Sequence, residues 1–399
     1  MSPSTPSRLC AAVWWSTASL NSDQQHDLPE DRVSPQTKTT VMYMNASVYS
    51  PVDPFATAIL VDGPTVAWLG SDSAAHAMAG EQSTVVDVHG AVITPSFVAH
   101  QRVTHGTQIV SAAQGYGAVE LLSDNARALN DAATRATDAG LVPLPILIHP
   151  VTEASAIASA GAPRPCLGIE IDPAQDPAAL LEDVTSHLVA CSEARYQAVV
   201  VCEARPEATV EGAPSAVIDV ILEAAQQATD TVGERAFRSR GHRLVGVGEL
   251  SEEQSESLAR HALSVTSRPG AAPLTALARA GVPVTLTTDA ENPWQAVKDA
   301  LEAKEPSHRT SARAAFLALT RGVWRAQRDA QPLAGQLAPG AEASLTMWDA
   351  ESLMVQQAQG TGASWSTDPR ARTPALPALD DPRLPVCERT VVGGNVIFE

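Results

Sequence analysis

The chain has 399 residues, with 27 basic against 45 acidic side chains and a formal charge of −18. That balance argues against nucleic acid or an anionic membrane as a partner, because both are held by basic faces; it reads as a solvated acidic surface. The five cysteines (Cys10, Cys166, Cys191, Cys202 and Cys387) are scattered and form no CxxC, which excludes a disulfide framework or a zinc knuckle and fits a reducing cytoplasm.

No apolar run approaches the roughly 18 residues of a membrane span. Residues 9–20, "LCAAVWWSTASL", lack a strong basic flank and a clear cleavage site, so they are not read as a signal peptide. Residues 21–40 are polar and expected to be disordered. Residues 1–40 therefore read as a disordered leader or a mis-assigned start, with Met42 or Met44 as the alternative first residue.

Residues 43–90 read as short strands ("MNASVYS", "ATAILVD", "TVAWLGS", "STVVDVHG"), rich in Val, Ile and Thr and broken by Gly, Pro and Asp. "VDGPTVAW" carries a hairpin signal. From residue 91 apolar strands alternate with helices. "AVITPSFVAH" opens the series, and "GAVELLSDNARALNDAATRATDAG" is expected to be a helix. Strands follow at "LVPLPILIHP", "PCLGIEID", "YQAVVVCEA", "HRLVGVGEL", "ALSVTS" and "VPVTLTTD", each next to a helical segment; "SEEQSESLARH" begins on a Ser cap. An eighth strand is expected near "TQIVSAAQ".

Fully apolar strands imply a parallel sheet covered on both faces. About 240 residues of this rhythm fit an α/β fold with a TIM-type (β/α)8 barrel. A doubly wound open sheet is disfavoured, since no GxGxxG follows a strand. After residue 335 the chain returns to strands in "GQLAPGAEASLTMWDAE" and "RTVVGGNVIFE", around a Pro-rich excursion at residues 355–386. The expected organisation is a flanking β-sandwich domain from residues 41–90 plus 335–399 and a barrel domain at residues 91–334.

Several separated stretches carry a resemblance. "VVDVHGAVITPSFVAH" resembles a strand-and-entry signature ending in "PGFVDxHxH"; "VPVTLTTDAENPWQAV" resembles "GVPLALGSDSPVxxxxPW"; "SARAAFLALTRGVWRA" resembles the helix that follows it. "GQLAPGAEASLTMWDAE" resembles "GxLxPGxxADLxVxD", "CERTVVGGNVIFE" a closing strand, and "GHRLVGVGELSEEQ" the segment "HRIEHxxxxs". Together these resemble the amidohydrolase superfamily of metal-dependent hydrolases, over most of residues 43–399 and weakly between 107 and 195.

The resemblance implies a barrel flanked by a sandwich built from both chain ends, and one or two divalent ions, zinc first, at the C-terminal ends of the barrel strands. Such an ion lowers the pKa of its bound water from 15.7 to roughly 7, and an Asp takes the proton. His100 matches the first histidine of the entry pair, but Arg102 stands where the second belongs, and a guanidinium has no lone pair to give. His105 is a more distant substitute. Cys202 and Glu203 stand where a His ends the family's fifth strand, and Glu203 is the better donor for a hard ion. Val245 and Gly246 replace a further Glu–His; His242 and Arg243 match the start of that strand, at the non-catalytic end of a barrel.

Asp289 matches the family's final Asp, base and ligand together, with Glu291 and Asn292 on the rim. His149 and Asp172 end apolar strands and are expected in the same mouth, and Glu170 and Asp172 are nearest to the place of a bridging lysine. Two readings stay open. In one the chain is a divergent hydrolase of non-peptide carbon–nitrogen bonds, its metal held by His100, Glu203 and Asp289. In the other it is an inactive relative that binds a small molecule or partner through the old pocket, with Arg102 pairing an anion or Asp289. Relatives of this architecture often dimerise, so a homodimer is an expectation.

Overall fold

Strands that alternate with helices along residues 97–286 join into one eight-stranded sheet. The computed structural model describes residues 40–78, 80, 83–149, 166–202, 215–327, 331–354, 374–380 and 383–399. The proposed leader, Glu203 and most of the Pro-rich excursion lie outside the described residues. Residues 38–399 form one compact unit.

The sheet strands are β1 (Phe97–Arg102), β2 (Tyr116–Ser123), β3 (Val142–Ile148), β4 (Cys166–Glu170), β5 (Ala198–Val201), β6 (Arg243–Val245), β7 (Ser264–Ser267) and β8 (Val284–Leu286). Each pairs in parallel with the next, in chain order. The sheet curls until its two edges meet, where the His100 amide donates to the Thr288 carbonyl at 2.8 Å.

The helices cover one face of this sheet. Phe97, Ala99, Leu121, Val200, Cys202, Leu244, Val265 and Leu286 pack with them in the largest apolar cluster. The residues between them point the other way, into the concavity: Val98 and Ala118 in one small cluster, Leu122, Ile146, Ile148, Val199, Val201 and Val245 in another. By the same period of two, His100 and Arg102 share the inner face of β1, and Glu120 that of β2.

Helices begin where the sequence supplies caps. Asn125 accepts from two amides at the start of α1 (Ala126–Asp138), and Asp176 does so for α2 (Pro177–Ala194), with proline in the first turn. Ser251 and Gln254 form a capping box for α4 (Glu252–Arg260), which follows α3 (Ser215–Val232). The expected helix at "GAVELLSDNARALNDAATRATDAG" is a strand and then a helix: residues 116–123 are β2, and only 126–138 are helical. Every residue of β2 is buried, and a short apolar run covered on both faces carries no period to tell strand from helix. The stretch near "TQIVSAAQ", expected as the eighth strand, is loop with a single 3-10 turn at Ala112–Gln114.

Two further sheets flank this one. The four-stranded sheet holds Thr40–Met44, Ala58–Asp62, Thr65–Gly70 and Ser83–Asp87. The five-stranded sheet joins Ser47–Val48 and Val92–Pro95 to Leu345–Asp349, Val386–Val392 and Asn395–Phe398, so it draws on both ends of the chain. The hairpin between its last two strands turns on Gly393 (φ 55°) and Gly394 (φ 78°), the left-handed pair that a two-residue turn requires. A Cβ on Gly394 would come within 1.8 Å of the Gly63 carbonyl, so the C-terminal hairpin closes directly on the turn of the N-terminal one.

Four rings fasten the sheets to the helices. Phe97 meets Trp294, Phe316 and Trp348 edge-on at centroid distances of 5.1, 5.3 and 5.8 Å, and Trp294 stacks on Phe316 at 5.4 Å. These residues come from β1, from α5 (Trp294–Leu301), from α6 (Ala312–Leu319) and from the Leu345–Asp349 strand. Truncating the shared ring leaves a cavity that three elements cannot refill. Phe97→Ala is expected to lower unfolding free energy by about 3–5 kcal/mol, read as a drop in the denaturant midpoint with the slope unchanged.

Candidate functional site

The residues that the sequence picked out come together only in part. His100 lies on the inner face of β1, with its Nδ1 3.0 Å from Glu120 Oε2. Glu120 is buried from water and is held on its other oxygen by Arg243 Nη1 at 2.7 Å and by Gln327 Nε2 at 2.5 Å. Burial alone would push the Glu120 carboxyl up. The charge of Arg243, then the hydrogen bond and charge of His100, outweigh burial and bring it down to about 2. An ionised carboxylate only accepts, so the His100 Nδ1 carries the proton that joins them. The Nε2 on the far side of the ring is buried and has no hydrogen-bond partner among the described residues.

Arg102, two residues on, donates through Nη2 to Glu170 Oε1 at 2.8 Å and through Nη1 to Glu170 Oε2 at 3.5 Å. Both side chains are partly exposed, at 23% and 16%. The pairing is therefore with the carboxylate of β4, not with Asp289.

The other candidates stand apart. Asp289 is exposed and lies three residues beyond the end of β8. Asp172 is exposed past β4 and accepts from the Ala174 amide; His149 is half-buried just past β3, and His105 is exposed in the loop after β1. Cys202 is buried among the outward-facing residues beneath the helices, so it is a packed thiol. Gly246 offers no side chain, and Val245 is apolar lining of the concavity. Glu291 is exposed, while Asn292 accepts from the Trp294 amide and donates to the Pro385 carbonyl, fixing the start of α5.

His242 and Arg243 have the structural roles expected of them. His242 Nδ1 accepts from the Ala198 amide, and its Nε2 lies 2.9 Å from Ser192 Oγ. Arg243 balances Glu120, with neither side chain reachable by water. Glu120 is the residue that sequence reasoning missed. Its signal was a single charge in the apolar run "YGAVELLS", which reads as a solvent-facing position once the run is taken for a helix.

Metal binding needs three or more converging donors. Among the described residues no three His, Cys, Asp or Glu side chains converge in that way. His100 Nε2 is a lone free imidazole nitrogen, Glu170 is engaged by Arg102, and a guanidinium cannot ligate. The described donors do not fit a divalent ion.

An all-parallel, eight-stranded curled sheet with its strands in chain order defines the TIM-like class of α/β folds. Within that class the amidohydrolase family model matches residues 254–398, and the solved structures agree in fold. A triazine hydrolase from Arthobacter aurescens superposes with a TM-score of 0.63 at 16% identity, over 91% of this chain and 95% of that one. N-isopropylammelide isopropylaminohydrolase from Burkholderia multivorans gives 0.59 at 16%, over 90% and 98%. A zinc complex of atrazine chlorohydrolase from Arthrobacter aurescens gives 0.59 at 15%, over 90% and 95%. No curated protein matches by sequence. No helix among the described residues is long and apolar enough to cross a membrane.

Two buried groups set the acid limit of stability. Burial lowers His187 to about 4, and its hydrogen bond to the Leu167 carbonyl does not compensate. The unfolded chain takes up that proton near the ordinary value of 6.5, so stability falls as pH drops from there towards 4. Glu120 adds a second loss between its ordinary 4.5 and about 2. Urea melts across pH 7 to 3 should show both limbs, and His187→Gln should flatten the upper one. Arg243→Met, which leaves the carboxylate buried without its cation, should cost about 3–5 kcal/mol, while Glu120→Leu/Arg243→Met should recover most of that loss.

Proposed function

We propose that this chain is an amidohydrolase-fold protein that binds a small polar molecule at the barrel mouth with no resident metal. One observation carries this reading: the Arg102 guanidinium, at the position where the resemblance expects a second histidine, is paired with Glu170. A second histidine at that position would have provided a ligand, whereas a fixed positive charge repels an incoming ion. The partly exposed Arg102 and the His100 ring give the mouth a cation and an imidazole with which to hold a ligand. The four- and five-stranded sheets support reading the flank as a sandwich that braces the barrel from both chain ends.

The second reading is a metal-dependent hydrolase of non-peptide carbon–nitrogen bonds, its ion held by His100, Glu203 and Asp289. The unpartnered His100 Nε2 favours it. So do the neighbours, a triazine hydrolase and an aminohydrolase by name. Elemental mass spectrometry on untagged protein, supplemented with zinc, iron and manganese, separates the two. The first reading expects well under one equivalent of metal in the native chain. It also expects about one equivalent of zinc in Arg102→His, which adds an imidazole two residues after His100 and releases Glu170. About one equivalent in the native chain, lost in Asp289→Asn, would instead establish the second.

A further inference from the structure

Glu120 belongs to no ligand position of the proposed site, yet it is buried in the concavity and held on both carboxylate oxygens. Its two oxygens are divided: Oε1 takes Arg243 and Gln327, and Oε2, among the described residues, takes His100. Arg243 contributes nothing to the ring itself. It pairs with Oε1 at 2.7 Å, and a carboxylate held by a guanidinium accepts a proton from Nδ1 rather than giving one to it.

The consequence falls on the other nitrogen. With hydrogen on Nδ1 alone, Nε2 keeps its lone pair. That nitrogen is buried and has no partner among the described residues, and an unsatisfied buried acceptor is costly. It is therefore the point in the concavity where a bound donor gains most. Arg102 stands two residues further on the same face, partly open to solvent, with its Nη1 contact to Glu170 stretched to 3.5 Å.

We infer that Glu120 is a positioning residue: it locks His100 in the Nδ1–H tautomer, so that Nε2 accepts an N–H or O–H from a small molecule whose neighbouring oxygen is met by Arg102. This rests on the reading that the mouth receives a small molecule. Its test needs no ligand, so it can fail while that reading stands.

The test is a long-range proton–nitrogen correlation spectrum of the full chain with 15N-labelled histidine, the His100 ring being assigned by its loss in His100→Gln. The native protein should show His100 with hydrogen on Nδ1 and a bare Nε2. Glu120→Leu/Arg243→Met removes the acceptor without stranding a buried charge; there the ring should change to the Nε2–H form or an averaged mixture. Glu120→Asp, which keeps a carboxylate, should hold the native pattern. An Nε2–H ring in the native chain, or a native pattern that persists in the double variant, would overturn the assignment. A merely structural Glu120 would alter stability in these variants and leave the tautomer as it was.

Discussion

A carboxylate with no water around it has to be surrounded by cations and donors, and much of the inner architecture follows from how Glu120 meets that requirement. Arg243 supplies the charge, Gln327 a further donor, and His100 the last one. These groups come from β2, β6, the segment after the last helix and β1, so the network ties distant parts of the chain across the concavity. The apolar layer above it, with Leu122, Ile146, Ile148, Val199, Val201 and Val245, excludes water. In that dry setting an ion pair is worth having only when its geometry is complete.

Closure of the sheet serves the same region. The bond from the His100 amide to the Thr288 carbonyl joins the first strand to the chain just beyond the last. The backbone of His100 thus marks the seam while its side chain reaches the buried carboxylate. Outside, Phe97 anchors the start of the same strand in the aromatic cluster with Trp294, Phe316 and Trp348. One short strand therefore carries the packing anchor, the seam and both polar residues of the mouth.

Fold and site chemistry rest on different physical features. The fold depends on apolar periodicity, caps and turns, and those persist at identities near 16% to the neighbours. A metal site depends on a few donors, and replacing one by a cation reverses the electrostatics of the whole position. Arg102 and Glu170 form an ion pair whose charges balance each other. A shared fold does not by itself fix the chemistry of a site.

The sequence by itself determined the parallel α/β rhythm, the helix cap at Ser251, the hairpin at "VDGPTVAW", the return to strands after residue 335 and the places of His100, Arg102 and Asp289 at strand ends. These are local properties, written in periods of two and in turn residues. Only the tertiary structure decided that residues 116–123 are a strand, because burial on both faces erases the period. It alone showed that Cys202 faces outward beneath the helices and that Asp289 stands exposed beyond its strand. Above all it decided the partners: Arg102 with Glu170 and Glu120 with Arg243 are 68 and 123 residues apart in the chain. No local pattern records which of the 27 basic side chains will meet which of the 45 acidic ones. Charge pairing across a closed sheet is set by strand register and by which face each residue shares, and these exist only once the sheet has formed.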